Sequence, residues 1–81
     1  MQLEESFGKV LRSARKQRRL SQETLAADAG LERNYISLLE CGNSSPTLRV
    51  VFKLCAILGV RPSEMLARVE EHILNNNKKV K

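Results

Sequence analysis

The chain has 81 residues, of which 42% are hydrophobic and 28% charged, and its formal net charge at neutral pH is +5. This length predicts one small domain, and the basic balance favours a polyanionic partner. The N-terminal segment is acidic with no apolar run after it, no stretch approaches membrane length, and Cys41 and Cys55 match no metal-binding spacing. We therefore expect a cytoplasmic protein with reduced thiols, no metal and no cofactor.

The first predicted helix begins at about Glu4 or Ser6 and ends at Gln17. Its apolar residues recur three and four positions apart, so they line one face of the helix. These residues are Phe7, Val10, Leu11 and Ala14. The basic residues of the segment occupy the other side, and they are Arg12, Arg15, Lys16, Arg18 and Arg19. Taken alone, this basic side is compatible with a solvated face as well as with a nucleic-acid contact.

Two short helices are predicted within residues 22–41. Ser21 is suited to N-capping the first, which continues to Ala29, and Gly30 can adopt the left-handed conformation that turns the chain. The second covers about residues 33–41. Its buried side is formed by Ile36 and Leu39. Together these features meet the requirements of a helix-turn-helix, a unit that offers its second helix to the major groove of DNA.

The remainder of the chain predicts two more helices. Residues 42–46 are dense in turn formers, Thr47 is a plausible N-cap for the fourth helix, and Gly59 ends it. Pro62 is well placed at the first position of the fifth helix, which is expected to end at about residue 74. The side chains expected to face inward from the fourth helix are Leu48, Val51, Leu54, Cys55 and Leu58, and the fifth carries Met65, Leu66, Val69 and Ile73.

These elements predict an all-α, compact five-helix domain over residues 1–74. Residues 75–81 are polar and basic, which predicts a disordered tail.

Several separated segments occur in an order found in known regulators: LSQETLA at 20–26, GL at 30–31, YIS at 35–37, LECG at 39–42, PTL at 46–48 and LGV at 58–60. Through these segments the chain resembles the phage repressor/Cro type of helix-turn-helix regulator, often called the Xre family. The stretch GLERNYIS at 30–37 also resembles restriction–modification controller proteins. The resemblance implies a repressor-like DNA-binding domain.

The resemblance implies a set of DNA contacts. Gln22 is expected to contact the phosphate backbone, and the positions expected to face base edges are Arg33, Asn34, Ser37 and Leu38. These positions lie away from the buried side of their helix, and Arg33 and Asn34 can each make two hydrogen bonds to a base, guanine and adenine respectively. Leu38 is expected either to touch a thymine methyl group or to sit exposed. Tyr35 is expected either to contact DNA or to pack inside.

The loop and the fourth helix supply Asn43 and Arg49 as candidates for phosphate contacts. Cys41 and Ser44 stand where controllers often have a basic residue, which argues against base reading by the loop. The resemblance also implies that Glu40 pairs with Arg15 in a structural ion pair.

Dimerisation is expected through the fifth helix, with Val69 and Ile73 at the interface; the alternative is that both fold back on their own subunit. No function is expected for His72.

These features predict a transcriptional regulator that binds double-stranded DNA as a homodimer on a palindromic operator. Autoregulation of a restriction–modification operon is a hypothesis. One alternative is an antitoxin or another protein-interaction module that retains the fold, although the tail looks short and polar for that role. RNA binding is less favoured because aromatic platforms are absent. An enzyme is not expected, since the chain lacks a glycine-rich phosphate loop and a nucleophile–base set. No membrane association or small-molecule ligand is expected.

Overall fold

The structure is a computed structural model that describes residues 2–79. These residues form five α-helices: α1 (Gln2–Gln17), α2 (Gln22–Ala29), α3 (Arg33–Glu40), α4 (Leu48–Leu58) and α5 (Pro62–Lys79). The described part of the chain contains no strand, and the all-α five-helix fold is confirmed. None of the five helices has the length and hydropathy needed to cross a membrane.

Short-range capping interactions set the bounds of α2 and α4. The Ser21 and Thr47 hydroxyls accept hydrogen bonds from the backbone N–H three residues further on, at 3.0 and 3.1 Å. Each helix ends at a glycine in the left-handed conformation, with φ of 70° at both Gly30 and Gly59. Because these signals are local, the sequence predicts both helices with the bounds that the structure has.

The core lies where the five helices meet, and all five contribute to it. Its fully buried large side chains are Leu11, Leu25, Ile36, Leu39, Leu54, Leu58 and Met65. α5 runs antiparallel to α1, so that the Gln2 amide donates to Asn77 Oδ1 at 3.0 Å and His72 Nδ1 lies 2.9 Å from Ser6 Oγ. His72 therefore has a structural contact between these two helices.

Three helix ends differ from the sequence prediction. α1 begins earlier, at Gln2, and α3 ends at Glu40 with Cys41 as its C-cap. α5 continues to Lys79, so the prediction of a disordered tail from residue 75 is wrong for residues 75–79. The reason is that α1 lies alongside α5 and provides a hydrogen-bond partner for Asn77. Residues 80 and 81 of the predicted tail lie outside the described residues.

Two predicted side-chain positions are also wrong. Leu48 was expected inside but is 71% exposed, because it is the first residue of α4 and precedes Val51, where the helix meets the core. Val69 was expected at a subunit interface but is 3% exposed within the core of its own chain. It lies one turn after buried Met65 on the side of α5 that faces the core. Ile73, the other predicted interface residue, is half-buried and packs against the core edge.

Gly8 lies where α1 closely approaches the end of α3. A Cβ at this position would lie 2.4 Å from the carbonyl oxygen of Leu39 and 2.6 Å from that of Glu40. Both atoms belong to the backbone at the end of α3, so α1 can pack this closely only with glycine there. This contact fixes how closely the end of α3 lies against α1.

Candidate nucleic-acid interface

α2 and α3 are joined by a tight turn that brings them into a helix-turn-helix. The Gly30 turn lets the Leu31 N–H donate to the carbonyl of Ala26 at 2.8 Å, and Leu31 packs against the core. Ala26 is itself buried, as its small side chain predicts for a helix crossing. This turn presents α3 with one side against the core and the other toward solvent.

The solvent side of α3 brings together the four predicted base-reading residues. Positions 33 and 37, like positions 34 and 38, are one turn apart and therefore share a face. Three of these side chains are exposed and Ser37 is half-buried; the four are Arg33, Asn34, Ser37 and Leu38. The opposite side of α3 is fully buried through Ile36 and Leu39.

Tyr35 lies between these two sides of α3. It is half-buried and packs against the core, so part of its surface has a packing role. Its remaining surface is accessible beside Asn34. The structure thus leaves room for both alternatives that the sequence offers for this residue.

Beneath the exposed face, Arg15 and Glu40 form a two-pronged ion pair. Arg15 Nε donates to Glu40 Oε2 at 2.6 Å and Arg15 Nη2 donates to Glu40 Oε1 at 3.0 Å. Arg15 Nη1 also donates to the backbone carbonyl of Leu20 at 2.8 Å. The two side chains are only 10% and 4% exposed, so the pair joins α1 to the end of α3 with little access to water.

Gln22 connects this ion pair to the surface of α3. Its Nε2 donates to Glu40 Oε1 at 3.0 Å, and its Oε1 accepts a hydrogen bond from Arg33 Nη1 at 3.3 Å. A shallow polar depression at the start of α2 is lined by Arg15, Gln22 and Arg33, together with Ser21 and Glu23. Two predicted DNA-contact residues and the predicted ion pair therefore form one hydrogen-bonded group.

The loop after α3 and the start of α4 carry the two remaining predicted contacts. Asn43 is exposed, and its backbone N–H donates to the Leu38 carbonyl at 2.9 Å. Arg49 is exposed in the first turn of α4, two residues after the Thr47 cap. Cys41 is a free and exposed thiol at the end of α3, whereas Cys55 is buried, and burial raises the pKa of the Cys55 thiol.

Sequence reasoning missed two features of this site. One is the hydrogen bond between Gln22 and Glu40, which joins residues 18 positions apart and leaves no periodic signal. The other is the role of Gly8 behind α3. A glycine inside an otherwise helical pattern is itself unfavourable, so its presence was a usable sign of a close helix contact.

The architecture and comparisons with known proteins agree. A family model described as helix-turn-helix matches residues 11–65, which is more than half of the chain. The chain belongs to the repressor/Cro-type helix-turn-helix family. Members of this helix-turn-helix family are DNA-binding transcriptional regulators, so the expectation that the chain is not an enzyme is confirmed.

Individual members of the family are similar over most of the chain. The control protein C.MunI from Mycoplasma sp is 38% identical over 66 residues, which cover 80% of this chain and 89% of that protein. The restriction-modification controller protein C.AhdI from Aeromonas hydrophila is 39% identical with a TM-score of 0.73, covering 75% of this chain and 92% of the controller. The clp gene regulator ClgR from Corynebacterium glutamicum is 23% identical with a TM-score of 0.91, over 95% of this chain and 82% of ClgR, and shows the fold alone.

Proposed function

We propose that this protein is a sequence-specific transcriptional regulator that binds a palindromic operator as a homodimer. The observation that carries the proposal is the exposed face of α3, where Arg33 and Asn34 stand in the first turn on the side opposite the core. In a major groove, Arg33 has the donors to read guanine, and Asn34 has the donor and acceptor to read adenine. Ser37 and Leu38, one turn further on, would adjust the fit to neighbouring bases.

Contacts to the phosphate backbone would fix this face on the duplex. Gln22 lies at the start of α2, Asn43 in the loop after α3, and Arg49 in the first turn of α4. The exposed polar atoms of Asn43 and Arg49 suit phosphate oxygens, as do the accessible parts of half-buried Gln22 and Tyr35. Such contacts supply affinity and register but carry no sequence information directly.

The relatives suggest what is regulated. C.MunI is a control protein and C.AhdI is a restriction-modification controller, and both are similar to this chain over at least three quarters of its length. We extend that role to this protein and propose that it controls a restriction–modification operon that includes its own gene. Purified protein should therefore bind the DNA directly upstream of its own coding sequence.

An apolar surface supports the homodimer. Leu3, Leu66 and Leu74 are 49%, 44% and 54% exposed, and with half-buried Ile73 they line an open groove of about 470 Å³. We call these four residues the outer apolar face. A small protein seldom leaves such a patch in water, and a second copy would cover it by pairing the same patch about a two-fold axis. The face replaces Val69 as the proposed interface and retains Ile73.

A neighbouring cleft supports a second copy as the occupant. This smaller cleft shares Leu3 and Leu66 with the outer apolar face and extends it to Leu48, which is highly exposed. To read two half-sites one turn of DNA apart, the paired copies must hold their α3 helices about 34 Å from each other.

The dimer is tested with Leu66→Glu combined with Leu74→Glu. We expect a folded, helical monomer that binds a palindromic site weakly, because charge at both positions prevents burial of the outer apolar face. Ser13→Glu with Asn75→Glu is the matched control, since it adds the same charge to exposed positions lining a different cleft. Sedimentation that shows the Leu66/Leu74 variant dimeric at micromolar concentration would remove this surface from the interface.

DNA binding is tested by titrating protein onto the upstream fragment and onto random DNA across a salt series. Arg33→Ala should weaken specific binding by about 1–3 kcal/mol and leave random binding nearly unchanged, because one base contact is lost. Arg49→Ala should weaken both equally and lower the salt slope by about one, since one phosphate contact is lost. Equal weakening by Arg33→Ala on both DNAs would make it a phosphate contact only. Wild-type protein that prefers no DNA would instead favour a protein-interaction module with this fold.

A further inference from the structure

A continuous chain of side-chain hydrogen bonds runs from the interior of the protein to the recognition face. It passes from Arg15 to Glu40, from Glu40 to Gln22, and from Gln22 to Arg33. We propose that Glu40 is a positioning residue for DNA recognition, which holds Gln22 in the one amide orientation that pre-orders Arg33. This inference deepens the proposed function and rests on it.

The first step is the orientation of the Gln22 amide. An ionised carboxylate only accepts hydrogen bonds, so Glu40 Oε1 can bind the Gln22 amide nitrogen but would repel the amide oxygen. The observed Nε2–Oε1 distance of 3.0 Å has this polarity. A neutral side chain at position 40, such as glutamine, would accept either orientation. The charge of Glu40 therefore decides which end of the Gln22 amide faces α3.

The second step is the hold on Arg33. With its nitrogen turned to Glu40, Gln22 points Oε1 at Arg33 Nη1, 3.3 Å away. The second hydrogen of the Gln22 amide nitrogen is left for a phosphate oxygen. Arg33 keeps its Nε and Nη2 donors, which form the parallel edge that suits two-pronged acceptors such as guanine. Gln22 thus links a contact with a DNA phosphate to the contact of Arg33 with a base.

The third step is the rigidity of Glu40, which holds Gln22. The Glu40 side chain is 4% exposed and is held by two hydrogen bonds from Arg15, so it cannot follow a moving Gln22. Arg33 is otherwise a long exposed side chain whose ordering on DNA is costly. Ordering Arg33 before binding reduces that entropic cost, so the affinity increases only on DNA where Arg33 reads a base.

The test begins without DNA, by NMR relaxation of the Arg33 Nε–H in the free protein. Arg33 should be ordered in the wild type and mobile in both Glu40→Gln and Gln22→Met. Glu64→Gln is the matched control, because it neutralises a carboxylate in the same way but one that pairs with Arg68 on α5, outside this network, and Arg33 should stay ordered. Equal Arg33 mobility in the wild type and in Gln22→Met would overturn the proposal, and this comparison remains decisive if Glu40→Gln does not fold.

The second measurement is the ratio of specific to random DNA affinity, taken where circular dichroism shows each variant folded. Glu40→Gln should lower this ratio about two- to tenfold, as expected for one long side chain that must be ordered on binding. In a Gln22→Met background, Glu40→Gln should lower the ratio no further. Equal losses in both backgrounds would show that Glu40 acts without Gln22 and would overturn the proposal. A wild-type protein without DNA preference would refute the proposed function. The NMR comparison would still show whether Gln22 and Glu40 order Arg33.

Discussion

Replacing Gly8 with alanine tests the close contact between α1 and α3. The added methyl group would lie 2.4 and 2.6 Å from the carbonyl oxygens of Leu39 and Glu40, where about 3.4 Å is an ordinary contact. Backbone atoms cannot rotate away, so the end of α3 and α1 must separate by about 1 Å. Alanine gains about 1 kcal/mol over glycine as a helix former, whereas overpacking costs about 1–3 kcal/mol or more.

Because both clashes are with backbone, we expect overpacking at or above the upper end of its range and a net destabilisation of about 2 kcal/mol. For a domain of this size that lowers the Tm by roughly 8–16 °C in thermal melts at fixed protein concentration. Ser13→Ala is the control, since it raises helix propensity at an exposed position of α1 and should leave the Tm equal or slightly higher. A Gly8→Ala protein that melts at or above the wild-type temperature would refute the argument from close packing.

Three further predictions concern stability and thiol chemistry. Glu40→Ala should lower the free energy of unfolding by about 3–5 kcal/mol in denaturant titrations, because it leaves the buried charge of Arg15 without a partner. The double change Arg15→Met with Glu40→Leu should recover much of this loss. An unchanged unfolding midpoint for Glu40→Ala would contradict the prediction. Thr47→Ala should cost about 1 kcal/mol in the same titrations through loss of the α4 cap, and a cost near zero would mean that water replaces the hydroxyl. A thiol reagent at neutral pH should modify exposed Cys41 quickly and buried Cys55 only as the protein unfolds, since desolvation raises the pKa of Cys55; equal rates in the native protein would rule out that burial.

The parts of the fold set by local interactions were predictable from the sequence. Ser21 and Gly30 set the two ends of α2 through contacts within one turn, and Thr47 and Gly59 set those of α4. The buried side of α3 follows from helical spacing, and so does the placement of Arg33 on the opposite side. Each of these features depends on residues close together in the chain.

Features that depend on how helices meet were not predictable in the same way. The spacing of Leu66, Val69 and Ile73 shows that α5 has apolar residues on adjoining sides, but not which side α1 covers. Only the packing of α5 along α1 decides that Val69 lies in the core and Leu66 outside. The bond from Gln22 to Glu40 likewise exists because the start of α2 lies beside the end of α3, at residues 18 positions apart in the chain.

Because Val69 is buried in its own subunit, folding and dimerisation are separate equilibria, whereas in an obligate dimer they occur together. The core already contains the α5 side chains that it needs, so a lone subunit can fold, whereas an obligate dimer often has no stable folded monomer. If subunits pair through the outer apolar face, dilution removes the DNA-competent form while the folded form persists. Occupancy of an operator then rises with the square of the subunit concentration when dimers are scarce. A newly made protein of this kind would accumulate in folded form before it regulates, for a time set by the strength of that one surface.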